Sequence, residues 1–565
     1  SISQAYATGA VRGDSIAIGG LVGTSDAGSI GQSYATGTVT GSGNLVGGLV
    51  GDNRGTIIFA YATGAVSGAD YVGGLVGNNN SGLIIQTYAT GAVSGAASVG
   101  GLIGYSNRAT SNSYWDTETT GQAASAGGTS LTTTALIAAL PTGFDAGVWA
   151  NSDNQTTPYL LGMPGNLVFN KNDLPGTVTS ASRPNLYTVI LDLNQLQAVG
   201  TGLAGRYVLG NDIDASASTR WMGMEMDASG IPRWGRTGFA PIGNSGASFT
   251  GIFDGLGYTI NGLTIDRPNT DYVGLFGVAG TGSVIRNLGL LGGSVTGRKY
   301  VGGLAGDNDG TITGTYATGA VSGVASVDGD YVGGLVGYND AGGKLTGVYA
   351  TGTVGGNDHV GGLAGDNLGT ITNAYATGAV TGTSYLGGGD NVGGLVGYND
   401  AGGTITNTYA TGAVSGSNYV GGLAGFNIGT VTGTYWDTET AGTGVTGIGS
   451  GIATGATGKT TVELQQLSTF AGWDISATGG DSTAWRMYEG HATPLLRTFL
   501  TPYTLNGQPD YDGSGAALAN VANVTMTLPT DPEILGGWTQ GDTLTLAGLA
   551  AGGGYTATSN ADFSG

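Results

Sequence analysis

The chain has 565 residues, of which 115 are Gly and 13 are Pro; with no strict Gly-X-Y period it is not a collagen, and with 40 % hydrophobic residues it is not a solvated linker. Only 10 % of residues are charged, 17 basic against 38 acidic, for a formal net charge of -21, which leaves no surplus of Lys and Arg for a nucleic-acid groove or an anionic membrane surface. The absence of Cys excludes disulfides and thiolate chemistry, and no apolar run approaches the ~20 residues of a membrane span.

Two phrases recur along the chain. Tyr-Ala-Thr-Gly starts at Tyr6, Tyr34, Tyr61, Tyr88, Tyr316, Tyr349, Tyr375 and Tyr409, and Gly-Gly-Leu-(Val/Ala/Ile)-Gly starts at Gly19, Gly47, Gly73, Gly100, Gly302, Gly333, Gly361, Gly393 and Gly421. Uninterrupted steps between the Tyr phrases are 26 to 28 residues. One unit, Gly403 to Gly425, holds three short extended runs: Thr404–Ala410, Ala413–Ser415 and Tyr419–Ala424. A propeller blade needs four strands in ~40–45 residues, so this period predicts one coil of an all-β, right-handed parallel β-helix. Equivalent residues then stack about 4.8 Å apart. The Leu of the second phrase and the Val five residues after each Tyr are the expected core. The tyrosines form an aromatic column, and Asn53, Asn79, Asn308, Asn339, Asn367, Asn399 and Asn427 form a column that can bond from coil to coil.

In chain order, Ser1–Tyr6 aligns with Thr404–Tyr409, so the chain is expected to open inside a coil, as a piece of a longer protein. The first block, 1–165, ends with Ser113-Tyr-Trp-Asp-Thr-Glu-Thr119. A short helix-compatible run, Thr133–Leu140, and Thr157-Pro158 follow, and are expected to cap the open end. A second block, 166–500, opens with a short amphipathic cap helix carrying Leu191, Leu193, Leu196 and Val199. Less regular strands come next, at Tyr207–Asp214, Phe249–Asp254 and Tyr258–Asp266, and then regular coils. It ends with Thr434-Tyr-Trp-Asp-Thr-Glu-Thr440, Thr461–Leu467 and Thr493-Pro494. Residues 501–565 form a small β module, expected to be truncated.

Tyr331-Val-Gly-Gly-Leu-Val-Gly337, with its neighbouring Gly-Thr-Ile-Thr and Tyr-Ala-Thr-Gly, resembles the GLUG motif of bacterial surface proteins. Gly251-Ile-Phe-Asp-Gly-Leu-Gly-Tyr-Thr-Ile260 is similar to the opening coil of such domains, and Tyr511-Asp-Gly513 with Gly541-Asp-Thr-Leu-Thr-Leu546 to the YDG or MBG-type modules that follow them. The resemblance implies a filamentous-haemagglutinin-like adhesin of two-partner-secretion type. Such a protein is secreted through an outer-membrane transporter to the bacterial cell surface or extracellular matrix, and attaches to extracellular polysaccharide or cell-surface receptors.

The residues themselves offer little catalysis. His359 occupies a variable position that Tyr71, Asn391 and Tyr419 fill elsewhere, and no Ser-His-Asp set is suggested. Asp52, Asp307 and Asp366 recur with the repeat and read as turn residues. A unique carboxylate pair would mark the alternative, a polysaccharide-active enzyme; the irregular set is Asp212, Asp214, Glu225, Asp227 and Asp254. No cofactor is expected beyond a structural calcium, for which Asp328 and Asp330 are candidates. Arg12-Gly13-Asp14 is a receptor-binding candidate on an exposed turn. The column Thr311/Thr313, Thr370/Thr372, Thr404/Thr406 and Thr430/Thr432 could serve as an ice-binding face. Tyr105, Tyr338 and Tyr398 stand where exposed rings could meet sugars.

Overall fold

The computed structural model describes residues 1–221, 237–324, 330–383, 390–477 and 482–500, together with the backbone of strands Gly223–Met226, Pro232–Gly235, Tyr503–Gly507, Val524–Thr527, Thr543–Leu546 and Tyr555–Ser559. It is 47 % strand and 8 % helix, wound as a parallel β-solenoid of about 16 turns. Two compact units are distinguished: Ser1–Leu196 with Gly205–Asp212, and Gln197–Ala204 with Ile213–Gly565. Residues 166–196, which the repeat pattern places in the second block, group with the first unit. Tyr511-Asp-Gly513 lies outside the described residues; Thr543–Leu546 pairs antiparallel with Val524–Thr527.

Coils stack in the register the phrases dictate. In the first unit Thr56–Ala62 lies between Ser29–Ala35 and Leu83–Ala89, placing Ile57 on Ile30 and Ile84 and Tyr61 on Tyr34 and Tyr88. In the second unit Thr370–Ala376 lies between Lys344–Ala350 and Thr404–Ala410, with Tyr375 between Tyr349 and Tyr409. The three extended runs appear as expected in the coil Thr404–Ala410, Val414–Ser415, Val420–Asn427. In most coils the third run is broken in two at the glycine pair, as in Asp70–Gly73 and Val76–Asn79. There the backbone of one coil presses on the next: a Cβ on Gly74 would fall onto the carbonyl oxygen of Gly101.

Leu49, Leu75 and Leu102, and in the second unit Leu304, Leu335, Leu363, Leu395 and Leu423, are fully buried. Each contributes about 1.5–3 kcal/mol of burial. Val39, Val66 and Val93 close a separate small cluster with Val46 and Val72. The tyrosines do not join the core. Two residues before each Tyr the backbone turns left-handed, at Gln32, Phe59, Gln86, Asn112, Asn373 and Asn407 and at Gly314, Gly347 and Gly433, with φ between 46° and 62°. That residue resets the alternation of the strand. Ile57 and Ala60 both face inward, and Tyr61 faces out.

Outward-facing rings need cover, and the segments expected as end caps supply it. Their first part does close the edge: Thr129–Leu131 pairs with Tyr114–Asp116, and Ala456–Lys459 with Thr434–Asp437. The chain then turns back along the flank of its own unit as a strap. In the first unit Leu136, Phe144, Trp149, Leu160 and Met163 pack on Tyr34, Tyr61, Tyr88 and Tyr114. In the second, Leu464, Phe470, Trp473, Trp485, Met487 and Leu496 pack on Tyr316, Tyr349, Tyr375 and Tyr409. The repeated Trp-Asp-Thr-Glu phrase latches both straps. Asp116 accepts from Thr133 Oγ1 at 2.6 Å and Glu118 from the Thr133 amide at 2.8 Å; Asp437 and Glu439 hold Thr461 at 2.7 and 2.9 Å.

Candidate ligand-binding face

The covered tyrosine column defines what a purely structural ladder looks like in this fold. Its rings stack 4.7–5.3 Å apart. Its hydroxyls are capped by the strap: Tyr34 donates to Pro164 O at 2.7 Å, Tyr61 to Asn166 Oδ1 at 3.0 Å, Tyr114 to Thr142 O at 2.7 Å and Tyr409 to Pro494 O at 2.8 Å. Burial drives the phenols of Tyr34, Tyr61, Tyr88 and Tyr409 far above their ordinary range, and no carboxylate acts on them.

A second aromatic ladder runs through the second unit, on the strands that carry the glycine pair. Its first column is Tyr300, Tyr331, His359 and Asn391, with Tyr272 stacked on Tyr300. Its second column, two strand positions beyond the fully buried Phe, Ala or Val, is Val278, Asp307, Tyr338, Asp366, Tyr398 and Phe426. Tyr272, Tyr300 and Tyr331 stack at 4.6 and 4.8 Å, and Tyr338 stands edge-on to Tyr300 and Tyr331 at 5.7 and 5.6 Å. His359 stacks on Tyr398 at 4.9 Å and Tyr398 on Phe426 at 5.1 Å. These rings are half-buried, and Tyr419 beside Phe426 is 45 % exposed.

This ladder is set among carboxylates. Asp307 and Asp366 lie in strands Ala305–Asn308 and Ala364–Asn367, not in turns as the repeat suggested. Burial, then Asp340 and Asp309, pushes the Asp307 carboxyl up to about 7. Asp366 is 5 % exposed; its Oδ2 lies 3.3 Å from His359 Nδ1, its Oδ1 has no partner, and burial raises its pKa. Tyr272 feels Asp307 and Asp271, Tyr331 feels Asp366 and Asp358, and Tyr398 feels Asp400 and Asp366. Burial and the neighbouring charges raise Tyr300 to about 12. Among the described residues the phenols of Tyr272, Tyr300, Tyr331, Tyr338 and Tyr398 make no hydrogen bond to protein, and none is sealed from solvent.

The other sequence candidates are dispersed. Arg12 lies on the strand Val11–Gly13 opposite Thr40 and is exposed, as is Asp14, which accepts from Ser42 Oγ at 3.0 Å. Asp328 lies outside the described residues. Asp330 is buried and accepts from the amides of Asn357 and Asp358 at 2.9 and 2.8 Å; it fastens the turn of the next coil, as Asp390 does for Ser417. Asp254 is buried against Arg286 at 2.7 Å, Asp214 is exposed and accepts from the Ser216 amide, and Asp227 and the Glu225 side chain lie outside the described residues. The threonine columns align over five coils, with Lys344 replacing Thr in the outer one. Tyr105 is 45 % exposed, edge-on to Tyr71 in the first unit. Reading Tyr338 and Tyr398 singly missed the ladder, because its two columns mix Tyr, His, Asp and Asn; the residue before each buried Asn, compared across coils, carries the signal.

Comparison with known proteins adds a motif. Residues 14–40, 328–355 and 388–415 match the GLUG motif. The chain carries this motif in both units. It is 37 % identical over 174 residues, 30 % of its length, to halomucin of Haloquadratum walsbyi, and 42 % identical over 81 residues, 14 % of its length, to a protein of Evansella cellulosilytica described as a "Putative Gly-rich membrane protein". These matches span 2 % and 9 % of those relatives. A crystal structure of a "putative immunoglobulin A1 protease" from Bacteroides ovatus aligns with a TM-score of 0.40 and 22 % identity, covering 55 % of this chain and 92 % of that one. No helix among the described residues is long and apolar enough to cross a membrane.

Proposed function

We propose that this chain is part of an extracellular adhesin: a stiff stalk of stacked coils that holds cells to one another, to surfaces or to polysaccharide, without catalysis. One observation carries the reading. Every described coil of the regular arrays is bonded to its neighbours by parallel strands, and the outward tyrosines from Tyr34 to Tyr114 and from Tyr316 to Tyr435 are covered by a latched strap, Tyr6 alone of the described column standing half exposed. Such a unit resists bending and local opening, which suits a spacer rather than an enzyme that must close on a substrate. The GLUG motifs and the similarity to halomucin support a surface location. Export by two-partner secretion through an outer-membrane transporter, and a receptor contact at the exposed Arg12-Gly13-Asp14, belong to the same proposal. Display of the chain on a non-adherent bacterium tests it. Cells should aggregate or retain polysaccharide above the empty-display control; unchanged settling and retention would overturn the reading.

A further inference from the structure

The open ladder contrasts with the covered one in three ways that bear on a ligand. Among the described residues its phenols lack the carbonyl partners that the strap gives Tyr34, Tyr61, Tyr114 and Tyr409. Each of its tyrosines Tyr272, Tyr331 and Tyr398 feels two carboxylates. Its Asp366 is buried with Oδ1 unpartnered, a costly state that a donor relieves. A second polypeptide strap fits this face poorly, since apolar rings laid over Asp307 and Asp366 would desolvate carboxylates further.

The ring faces are largely covered by one another, so the ladder presents edges and hydroxyls, one set per coil, about 4.8 Å apart. That rise is close to the length of one pyranose in an extended β-linked chain, so successive sugars can meet successive coils in register. The carboxylates call for positive charge, and the net charge of -21 steers polycations toward the chain. Arg298, at the ladder's first coils, is already paired with Asp271 at 2.7 Å and does not offset the inner pair.

We propose that the face built on Tyr272, Tyr300, Tyr331, Tyr338, Asp307 and Asp366 binds an extended β-linked amino-sugar polymer with free amines. The phenols exchange hydrogen bonds with sugar hydroxyls, and the carboxylates accept from the ammonium groups. This rests on the attachment reading and names its ligand class.

Titration calorimetry of the full chain with a β-1,4 glucosamine hexamer tests it, against the N-acetylated hexamer, cellohexaose and hexalysine. The glucosamine hexamer should bind at least about tenfold more tightly than each of the other three. The double variant Asp307→Asn/Asp366→Asn should lose at least about tenfold, and Tyr300→Phe/Tyr331→Phe a few-fold, with unchanged circular dichroism. Equal binding of the N-acetylated or neutral hexamer would overturn the role of the carboxylates. Equal binding of hexalysine would overturn the glycan in favour of a basic peptide. Undiminished binding by the tyrosine pair, the variant least disturbing to the fold, would overturn the site. The two readings fail separately: displayed chain that aggregates cells but ignores glucosamine overturns only this inference, and chain that binds glucosamine without aggregating cells overturns only the stalk adhesin.

Discussion

The two tyrosine ladders use the same coil-to-coil stacking and reach opposite states. One lies under a strap, with hydroxyls tied to carbonyl oxygens of the strap and no carboxylate acting on Tyr61, Tyr88 or Tyr409. The other stands half-exposed among Asp271, Asp307, Asp340, Asp358, Asp366 and Asp400, with its phenols unpartnered among the described residues. Stacking therefore builds the ladder, but what lies against its outer edge decides its chemistry. Dispersion between rings is similar in both; hydrogen bonding and charge are not.

The difference can be attacked most forcefully at the strap. Trp149 lies 6.1 and 5.8 Å from the rings of Tyr61 and Tyr88, and Trp485 lies 6.2 and 6.0 Å from those of Tyr375 and Tyr409. Replacing either by Ala should cost about 3–5 kcal/mol by chemical denaturation and expose the strap to protease. A loss below about 1 kcal/mol would mean that the covered ladder does not need its cover.

A smaller effect separates the hydroxyls. Tyr409→Phe strands the Pro494 carbonyl and should cost about 1 kcal/mol. Tyr300→Phe in the open ladder removes no hydrogen bond to a described residue and should stay within about 0.5 kcal/mol. Equal losses would erase the contrast.

The remaining effect is in pH. Asp307 faces Asp340, Asp309 and the phenols of Tyr272, Tyr300 and Tyr338, with the Asn308 amide nearby to favour its charged form. Its carboxyl titrates at about 7 in the fold but at about 4 in the unfolded chain. Its contribution to stability is thus complete below about 4 and is lost as pH rises through about 7. Asp307→Asn, which imitates the protonated group, should match the parent in thermal midpoint near pH 4 and exceed it increasingly up to pH 8. A constant difference across that range would refute the raised titration of this half-buried carboxyl.

The coil, its period and the register were legible because the phrases repeat: Leu75 on Leu49, Asn367 on Asn339 and Trp436 on Ala410 all follow from spacing. The outward turn of the tyrosines was not, because it hangs on one left-handed residue. Phe59 and Gln86 do not announce that conformation, although Gly314, Gly347 and Asn407 in the same column do. The strap was visible as a repeated phrase but was assigned to the end of the coil stack, since sequence gives no direction to a segment leaving a solenoid. The open ladder was seen only in Tyr338 and Tyr398, because its meaning lies across coils rather than along them.

The asparagine ladder has a direction. Asn308 donates to Asn339, Asn339 to Asn367, Asn367 to Asn399 and Asn399 to Asn427, at 2.7–2.8 Å, and Asn53 donates to Asn79 in the same sense. Each run must therefore stop on an acceptor that is not another asparagine: Ser106 Oγ in the first unit and the Ile452 backbone carbonyl in the second. A coil that slipped by one residue would set a flanking residue such as Asp309, Tyr338, Leu368 or Phe426 in the slot and break the amide-to-amide relay; where that residue is apolar, a buried amide is left facing nothing, at about 1–3 kcal/mol. In a chain whose coils are nearly identical, and so easily mispaired, this one-way relay favours the in-phase register over its neighbours.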